Sequence, residues 1–179
     1  MKYESTRGNR EPESSMAVIR TGMVPEGGLF VPQSFPSINP EQFLYHETYQ
    51  ETAYAILSAF LTHYAPDDLA RIVKEAYGDN FNTPEITPLH LLDQSTTVLE
   101  LWHGPTAAFK DLALQIMPRL LIHAMGELDP PMKVLILVAT SGDTGKAALE
   151  GFKNVPGSRI ITFYPGEGVS LIQKLQMVT

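Results

Sequence analysis

A continuous apolar run at residues 133–140 limits the folds open to this chain more than any other feature. The run reads Lys-Val-Leu-Ile-Leu-Val-Ala-Thr and is rich in branched side chains. Such runs are typical of strands that are buried on both faces of a parallel sheet. A glycine-containing turn follows, and residues 146–150 return to a helical pattern. The segment therefore predicts a strand–turn–helix unit of an α/β domain.

The turn after this strand is a candidate anion site, built from Thr140, Ser141, Gly142, Asp143 and Thr144. Glycine lets the backbone come close to a ligand, while hydroxyl groups and the free amides of a helix start donate to a carboxylate or phosphate. The same residue types also serve simply to turn and cap a chain, so both interpretations stay open from this motif alone. A nucleotide P-loop and a dinucleotide fingerprint are excluded because their glycine spacings are absent.

A lysine on the apolar side of a predicted helix is the second informative feature. At about 100° per residue, a helix over residues 106–124 places Lys110 within a broad apolar arc. The arc consists of Phe109, Leu112, Ala113, Leu114, Ile116, Met117, Leu120 and Leu121. The opposite face is polar and carries Asp111, Gln115 and Arg119. Such a lysine either extends its amine past apolar surface to water, or acts as an amine nucleophile, since burial and a helix N-terminus disfavour the ammonium form.

Two residues delimit this predicted helix. Thr106 follows a Gly-Pro turn and is the predicted N-cap. Pro118 lacks the N–H that would bond to the carbonyl of Leu114, at a cost of about 3 kcal/mol or more in a helix interior. We therefore expect a bend or break one turn beyond Lys110.

The rest of the chain predicts a helical N-terminal lobe followed by the start of a parallel-sheet domain, an α/β fold class. The pattern indicates a helical run from Pro40 and a second helix from Pro66 to near Gly78. Residues 79–88 form the predicted linker, and three further elements follow: strands at 97–101 and 159–164 and a helix start at 170–178.

Composition excludes several function classes. The formal net charge of −7 provides no basic surface for nucleic acid or an anionic membrane. The absence of cysteine excludes disulfides and thiol catalysis. The histidines lack metal-ligand spacing, so we expect no metal site. No leader or membrane-length apolar stretch is present, and a cytoplasmic location is the expectation.

Four segments in order resemble threonine synthases. Residues 100–111 read Glu-Leu-Trp-His-Gly-Pro-Thr-Ala-Ala-Phe-Lys-Asp, and residues 139–145 read Ala-Thr-Ser-Gly-Asp-Thr-Gly. Near the start, residues 3–8 read Tyr-Glu-Ser-Thr-Arg-Gly and residues 25–32 read Pro-Glu-Gly-Gly-Leu-Phe-Val-Pro. Four motifs in the family's order are much more specific than any one of them, and they extend over nearly the whole chain.

The resemblance implies a pyridoxal-phosphate enzyme of fold type II, similar to the tryptophan synthase β-subunit. Its reaction converts O-phospho-L-homoserine and water to L-threonine and phosphate. Lys110 would hold the cofactor as a Schiff base and shuttle protons, and the loop Thr140–Thr144 would hold the substrate α-carboxylate, with Asp143 orienting that loop. His103 and Arg7 are minor candidates for contact with the substrate phosphate.

The resemblance also predicts the organisation of the chain. Residues 1–80 would be the N-terminal lobe, and residues 95–179 would be the first part of the cofactor-binding domain. The family's loop for the cofactor phosphate does not occur before Thr179, so we expect an N-terminal portion that is catalytically incomplete alone. Self-association through an unfinished sheet edge stays open. The alternatives are another fold type II enzyme, such as a serine or threonine dehydratase or a β-replacement enzyme, and a non-catalytic interaction domain.

Overall fold

The chain begins with a small antiparallel sheet and a short helix. The computed structural model describes residues 1–140 and 142–178. In the first sheet, β1 lies between β2 and β3, with bounds Lys2–Ser5, Glu13–Ser14 and Phe30–Pro32. Helix α1 (Ser15–Thr21) follows β2 directly, because the Ser14 side chain accepts a hydrogen bond from the Ala17 N–H and caps the helix. This sheet therefore leads straight into the helical lobe.

The helical run predicted from Pro40 consists of two elements in the structure. A 3₁₀ helix spans Pro40–Tyr45, and helix α2 spans Tyr49–Phe60. They are separate because Thr48 and Glu51 form a capping box, in which each side chain accepts from the other residue's backbone N–H and starts α2 afresh. Helix α3 (Pro66–Ala76) begins at a proline, and its end confirms the prediction of a helix that stops near Gly78.

The main core lies between α2, α3 and a later helix, α5 (Met117–Gly126). Its buried members include Leu61, Tyr64, Leu69, Ile72, Val73, Ala76, Tyr77, Phe81, Ile86, Ile116, Leu120 and Ala124. Full burial of each large aliphatic side chain contributes about 1.5–3 kcal/mol. Two tyrosine hydroxyl groups also donate across the core, Tyr64 to the Leu120 carbonyl at 3.0 Å and Tyr77 to the Leu112 carbonyl at 2.8 Å. The core thus fixes the segment that contains Lys110 against the helical lobe.

The predicted break near Pro118 is confirmed, whereas the predicted helix start is wrong. Helix α4 spans only Asp111–Leu114, and α5 begins at Met117. Before α4, a β-hairpin pairs β4 (Leu89–Leu91) with β5 (Thr97–Leu99), which confirms the short strand predicted there. Residues 104–110 are not helical, and Thr106 is not an N-cap.

The strand–turn–helix unit is confirmed, and together with the next strand it forms a βαβ unit with parallel strands. Strand β6 (Val134–Ala139) pairs with β7 (Ser158–Phe163), in a register that runs from Val134 opposite Ser158 to Ala139 opposite Phe163. Helix α6 (Asp143–Phe152) connects them, and α7 (Leu171–Val178) follows.

One face of this sheet differs from the sequence prediction. Helix α6 packs on one side, but Leu135, Leu137, Ile161 and Phe163 on the other side are 46–63% exposed. The burial of β6 therefore alternates along the strand, and burial on both faces is not found within the described residues. No helix in the described ranges is long and apolar enough to cross a membrane.

Candidate active site

Lys110 lies immediately before α4, at the end of a short loop. Its side chain is half-buried, and its Nζ lies 4.9 Å from the centroid of the Phe109 ring, within the range of a cation–π contact. Within residues 1–140 and 142–178, no hydrogen bond or ion pair engages the Lys110 amine. The amine is therefore not hydrogen-bonded to another group among the described residues, which leaves it available as a nucleophile.

The loop before Lys110 is wrapped around the carboxylate of Asp111, which is fully buried. The Thr106 N–H donates to Oδ2 at 2.9 Å, and the Thr106 hydroxyl donates to Oδ1 at 2.7 Å. The Ala108 N–H is a third donor, at 3.4 Å from Oδ2. Asp111 was predicted to face solvent, and that prediction is wrong. The prediction assumed one helix over residues 106–124, but residues 104–110 form a loop. The buried N–H groups of this loop need an acceptor, and the Asp111 carboxylate is that acceptor.

Two backbone features of this loop depend on the carboxylate. Ala107 adopts a left-handed conformation with φ of 54°, which costs an L-residue other than glycine about 1–2 kcal/mol. The residues on either side of it, Thr106 and Ala108, both donate to Asp111 and hold that conformation in place. Gly104 packs directly on Asp111, because an added Cβ would overlap the aspartate side chain. The position of Lys110 is thus fixed by its neighbour in sequence.

The apolar arc predicted around Lys110 is therefore only partly correct. Ile116, Leu120 and Leu121 are buried as predicted, whereas Phe109 is 60% exposed and Met117 is 37% exposed. Gln115, predicted on the solvated face, is buried, and its Oε1 accepts from Asn80 Nδ2 at 2.9 Å. Because α4 and α5 are separate helices with a break between them, one continuous helical wheel does not describe both.

The second predicted loop lies at the start of α6. Gly142 is the N-cap residue of α6, and its N–H donates to Thr140 Oγ1 at 3.2 Å. Gly145 packs against Thr140, where an added Cβ would overlap the Thr140 methyl group. Thr144 is exposed on the first turn, and Ser141 lies outside the described residues. The start of α6 thus presents backbone amides and a hydroxyl, the groups that bind a carboxylate at a helix N-terminus.

Asp143 is engaged on both sides. Its Oδ1 accepts from Gln173 Nε2 at 3.1 Å and lies 3.3 Å from Lys146 Nζ. The hydrogen bond from Gln173, the hydrogen bond and charge of Lys146, and the charge of Lys110 together hold the pKa of the Asp143 carboxyl below its usual range. The charge of Lys110 is therefore within electrostatic range of Asp143. The role of Asp143 in orienting the loop stays a prediction.

A residue that the sequence reasoning missed joins these loops. Lys146, on the first turn of α6, is buried, and its Nζ donates to the Thr106 carbonyl at 3.0 Å. The available signal was a lysine directly before the apolar residues Ala147, Ala148 and Leu149 of the predicted helix. Helices α4 and α6 are also in backbone contact, since a Cβ added to Gly151 would overlap the Leu114 carbonyl oxygen.

The two minor candidates lie in different surroundings. His103 Nε2 lies 2.6 Å from Glu100 Oε2, and His103 Nδ1 lies 2.6 Å from Asn82 Oδ1, so both ring nitrogens are occupied. Arg7 is exposed and lies against Gly27 and Gly28 beside the N-terminal sheet. Contact of either residue with substrate phosphate stays a prediction. No group of three His, Asp or Glu side chains suited to a metal ion occurs in the described ranges.

Comparisons with known proteins identify the family of this chain. Residues 2–77 match the family described as threonine synthase N terminus. A threonine synthase of Pseudomonas aeruginosa is 38% identical over the whole chain, which covers 38% of that protein. The chain belongs to the threonine synthase family. Human threonine synthase-like 1 is 40% identical over 92% of the chain, which covers 23% of that protein.

The solved structures extend this relationship to the fold. PLP-bound threonine synthase from Brucella melitensis is 38% identical and superposes with a TM-score of 0.92 over 99% of the chain. Yeast threonine synthase superposes with a TM-score of 0.87 at 31% identity. These matches confirm the predicted fold class, a helical lobe and the start of the parallel-sheet domain. The chain spans 38% of each of these two threonine synthase structures.

Proposed function

We propose that this chain provides the lysine and the carboxylate-binding loop of a threonine synthase, which forms L-threonine and phosphate from O-phospho-L-homoserine and water. The observation that carries the proposal is the Lys110 amine without a hydrogen-bond partner among the described residues, on a loop that is hydrogen-bonded to the first turn of α6. A threonine synthase needs both elements at one site, because one holds the cofactor and the other holds the amino-acid substrate. Membership of the family supports this assignment.

The residues around Lys110 fit pyridoxal phosphate. A cofactor aldehyde reacts with an accessible primary amine, and no ion pair holds the Lys110 ammonium among the described residues. Pyridoxal phosphate, when bound, supplies an electron sink for the carbanion that forms at the substrate α-carbon. Lys110 Nζ is the group in this chain that could accept the α-proton and return it. The buried carboxylate of Asp111 keeps the backbone that carries this amine in one place.

The start of α6 fits the substrate carboxylate. Its free amides and the Thr144 hydroxyl are donors, and the partial positive charge of a helix N-terminus favours an anion. Asp143 would repel a second carboxylate if its charge were uncompensated. Lys146 and Gln173 bind that charge, so the loop can accept an anion.

We further propose the division of the chain that its sequence predicts. Residues 1–80 would form the N-terminal lobe, and residues 95–179 would contribute the first part of the cofactor-binding domain. The chain contains no glycine- and asparagine-rich loop for the cofactor phosphate. We therefore expect this polypeptide to bind pyridoxal phosphate weakly and to turn over little substrate.

Borohydride trapping tests the proposal directly. The chain is mixed with pyridoxal phosphate, the adduct is reduced, and the modified lysines are mapped by peptide mass spectrometry. We expect Lys110 to be labelled at least about tenfold more than Lys153, whose side chain is 60% exposed and bound only to Glu150 at the surface. Labelling that follows exposure, with Lys153 ahead of Lys110, would refute the proposal.

Substrate specificity is tested in the same assay. O-phospho-L-homoserine added before reduction should protect Lys110 from trapping at a lower concentration than L-serine does. Equal protection by both amino acids would instead favour a dehydratase or β-replacement enzyme.

A further inference from the structure

Lys146 is a buried lysine that the proposed chemistry leaves without a role. It is 8% exposed, on the first turn of α6, with the buried Ala147 beside it. Removing an ammonium group from water costs several kcal/mol unless the charge is paired and hydrogen-bonded. Its Nζ has two partners, the Thr106 carbonyl at 3.0 Å and Asp143 Oδ1 at 3.3 Å. These partners belong to two different segments of the site.

The partner on the first segment, Thr106, is fully engaged. Its N–H and its hydroxyl both donate to the Asp111 carboxylate, and its carbonyl accepts from Lys146. Thr106 is itself buried, so solvent has little access to these groups. The loop that ends at Lys110 is therefore hydrogen-bonded to two buried groups, the Asp111 carboxylate and the Lys146 ammonium.

The partner on the second segment, Asp143, begins α6 and belongs to the predicted carboxylate loop. One ammonium group thus reaches a backbone carbonyl of the lysine loop and a side chain of the carboxylate loop. Lys146 and Thr106 are 40 positions apart in the sequence, so the hydrogen bond between them is a tertiary contact. A displacement of either loop breaks at least one of the two bonds of Lys146.

A second reading of Lys146 is that it competes with Lys110 as an amine nucleophile. The geometry argues against this. Both partners of Lys146 accept hydrogen bonds from the ammonium form, and its burial restricts access of an aldehyde. Lys110, in contrast, has no such partner among the described residues.

We propose that Lys146 is a positioning residue, which fixes the loop that carries Lys110 against the loop at the start of α6. The inference rests on the proposed function where it concerns cofactor attachment at Lys110. The link between the two loops is independent of that function and can be measured without cofactor.

The first experiment measures amide hydrogen exchange of the cofactor-free chain. Lys146→Met retains the apolar stem but cannot donate, Lys146→Arg retains a cationic donor, and Lys153→Met is a charge-matched control on an exposed pair. In Lys146→Met we expect exchange in residues 104–111 to be about tenfold faster, because loss of a hydrogen bond to a charged group opens the loop locally. Amides of α3 (Pro66–Ala76) are the internal reference and should not change. Lys146→Arg should restore most of the protection.

The second experiment measures trapping of pyridoxal phosphate at Lys110 in the same variants. We expect Lys146→Met to reduce the trapped fraction at Lys110 about fivefold, Lys146→Arg to recover it, and Lys153→Met to leave it unchanged. Trapping in Lys146→Met equal to that of the parent chain would overturn the positioning role. Equal acceleration of exchange in residues 104–111 and in α3 would also overturn it, because Lys146 would then act on global stability alone.

The outcomes separate the two proposals. Faster exchange in residues 104–111 without selective trapping at Lys110 in the parent chain would sink the proposed function and leave the link through Lys146 intact. Unchanged exchange in Lys146→Met would sink the link, even if the parent chain traps the cofactor at Lys110.

Discussion

Replacement of Asp111 by alanine should release the loop that positions Lys110. The carboxylate accepts from the N–H groups of Thr106 and Ala108 and from the Thr106 hydroxyl. Alanine leaves two buried backbone N–H groups without an acceptor, and each such group costs about 1–3 kcal/mol. The loss of the charge-assisted bond from the hydroxyl adds to this cost. We expect the free energy of unfolding to fall by about 3–5 kcal/mol, a large part of the total stability of a typical domain.

Asp111→Asn is the matched variant, because it fills the same space. The asparagine oxygen can occupy the position of Oδ2 and accept from both backbone N–H groups. Its nitrogen can occupy the position of Oδ1 and donate to Thr106 Oγ1, since a hydroxyl rotates from donor to acceptor. Only the charge assistance is lost, so we expect a decrease of about 1 kcal/mol. The two variants should therefore differ by about 2 kcal/mol or more.

Urea unfolding measures this difference. Trp102, the one tryptophan of the chain, lies eight residues before Lys110 and reports on this segment by fluorescence, while circular dichroism reports on the helices. Lys153→Ala is a control, since the Lys153 side chain is 60% exposed and surface pairs such as Lys153 and Glu150 contribute about 0–1 kcal/mol. Equal destabilisation by Asp111→Ala and Asp111→Asn, or a loss below about 1 kcal/mol in both, would refute the reasoning.

Three further variants test other contacts. Gly151→Ala forces a Cβ into the Leu114 carbonyl and should lower stability by about 2–4 kcal/mol, whereas Gly126→Ala, with open space around it, should change stability by less than about 1 kcal/mol in calorimetry. The His63 Nδ1 accepts from the Ser15 N–H, and desolvation is the main cause that lowers the pKa of His63 below 6.5. Histidine in the unfolded chain therefore binds a proton more tightly than His63 does in the folded chain, so the free energy of unfolding should fall as the pH drops below 6.5. In His63→Gln, the melting temperature should decrease less between pH 7.5 and pH 5 than it does in the parent chain.

Local sequence signals determined much of the fold. The apolar run at Val134–Ala139 and the glycine turn after it are sufficient to predict β6 and the start of α6, because strand and helix signals change there within five residues. Pro66 and Pro118 mark helix positions through their fixed backbone geometry. The positions of the two candidate loops in the sequence could be predicted from these elements, because one loop precedes α6 and the other, with Lys110, precedes α4.

Tertiary contacts explain what the sequence could not predict. Asp111 is buried because a loop folds over it, and helical periodicity cannot predict a contact with a loop. The partner of Lys146 lies 40 residues away, at a distance that no periodic pattern encodes. The exposure of Leu137 could not be predicted either, because the sequence of an apolar strand does not show whether another element covers its second face.

The exposed side of the β6–β7 sheet has a consequence for the chain as a colloid. This side is an exposed apolar patch, through which molecules of formal net charge −7 can associate. The patch consists of Leu135, Leu137, Ile161 and Phe163. Like-charge repulsion keeps such molecules apart in dilute buffer, and about 0.15 M salt shortens its range to roughly 8 Å. The purified chain should therefore stay dispersed best at low ionic strength and precipitate as salt is added.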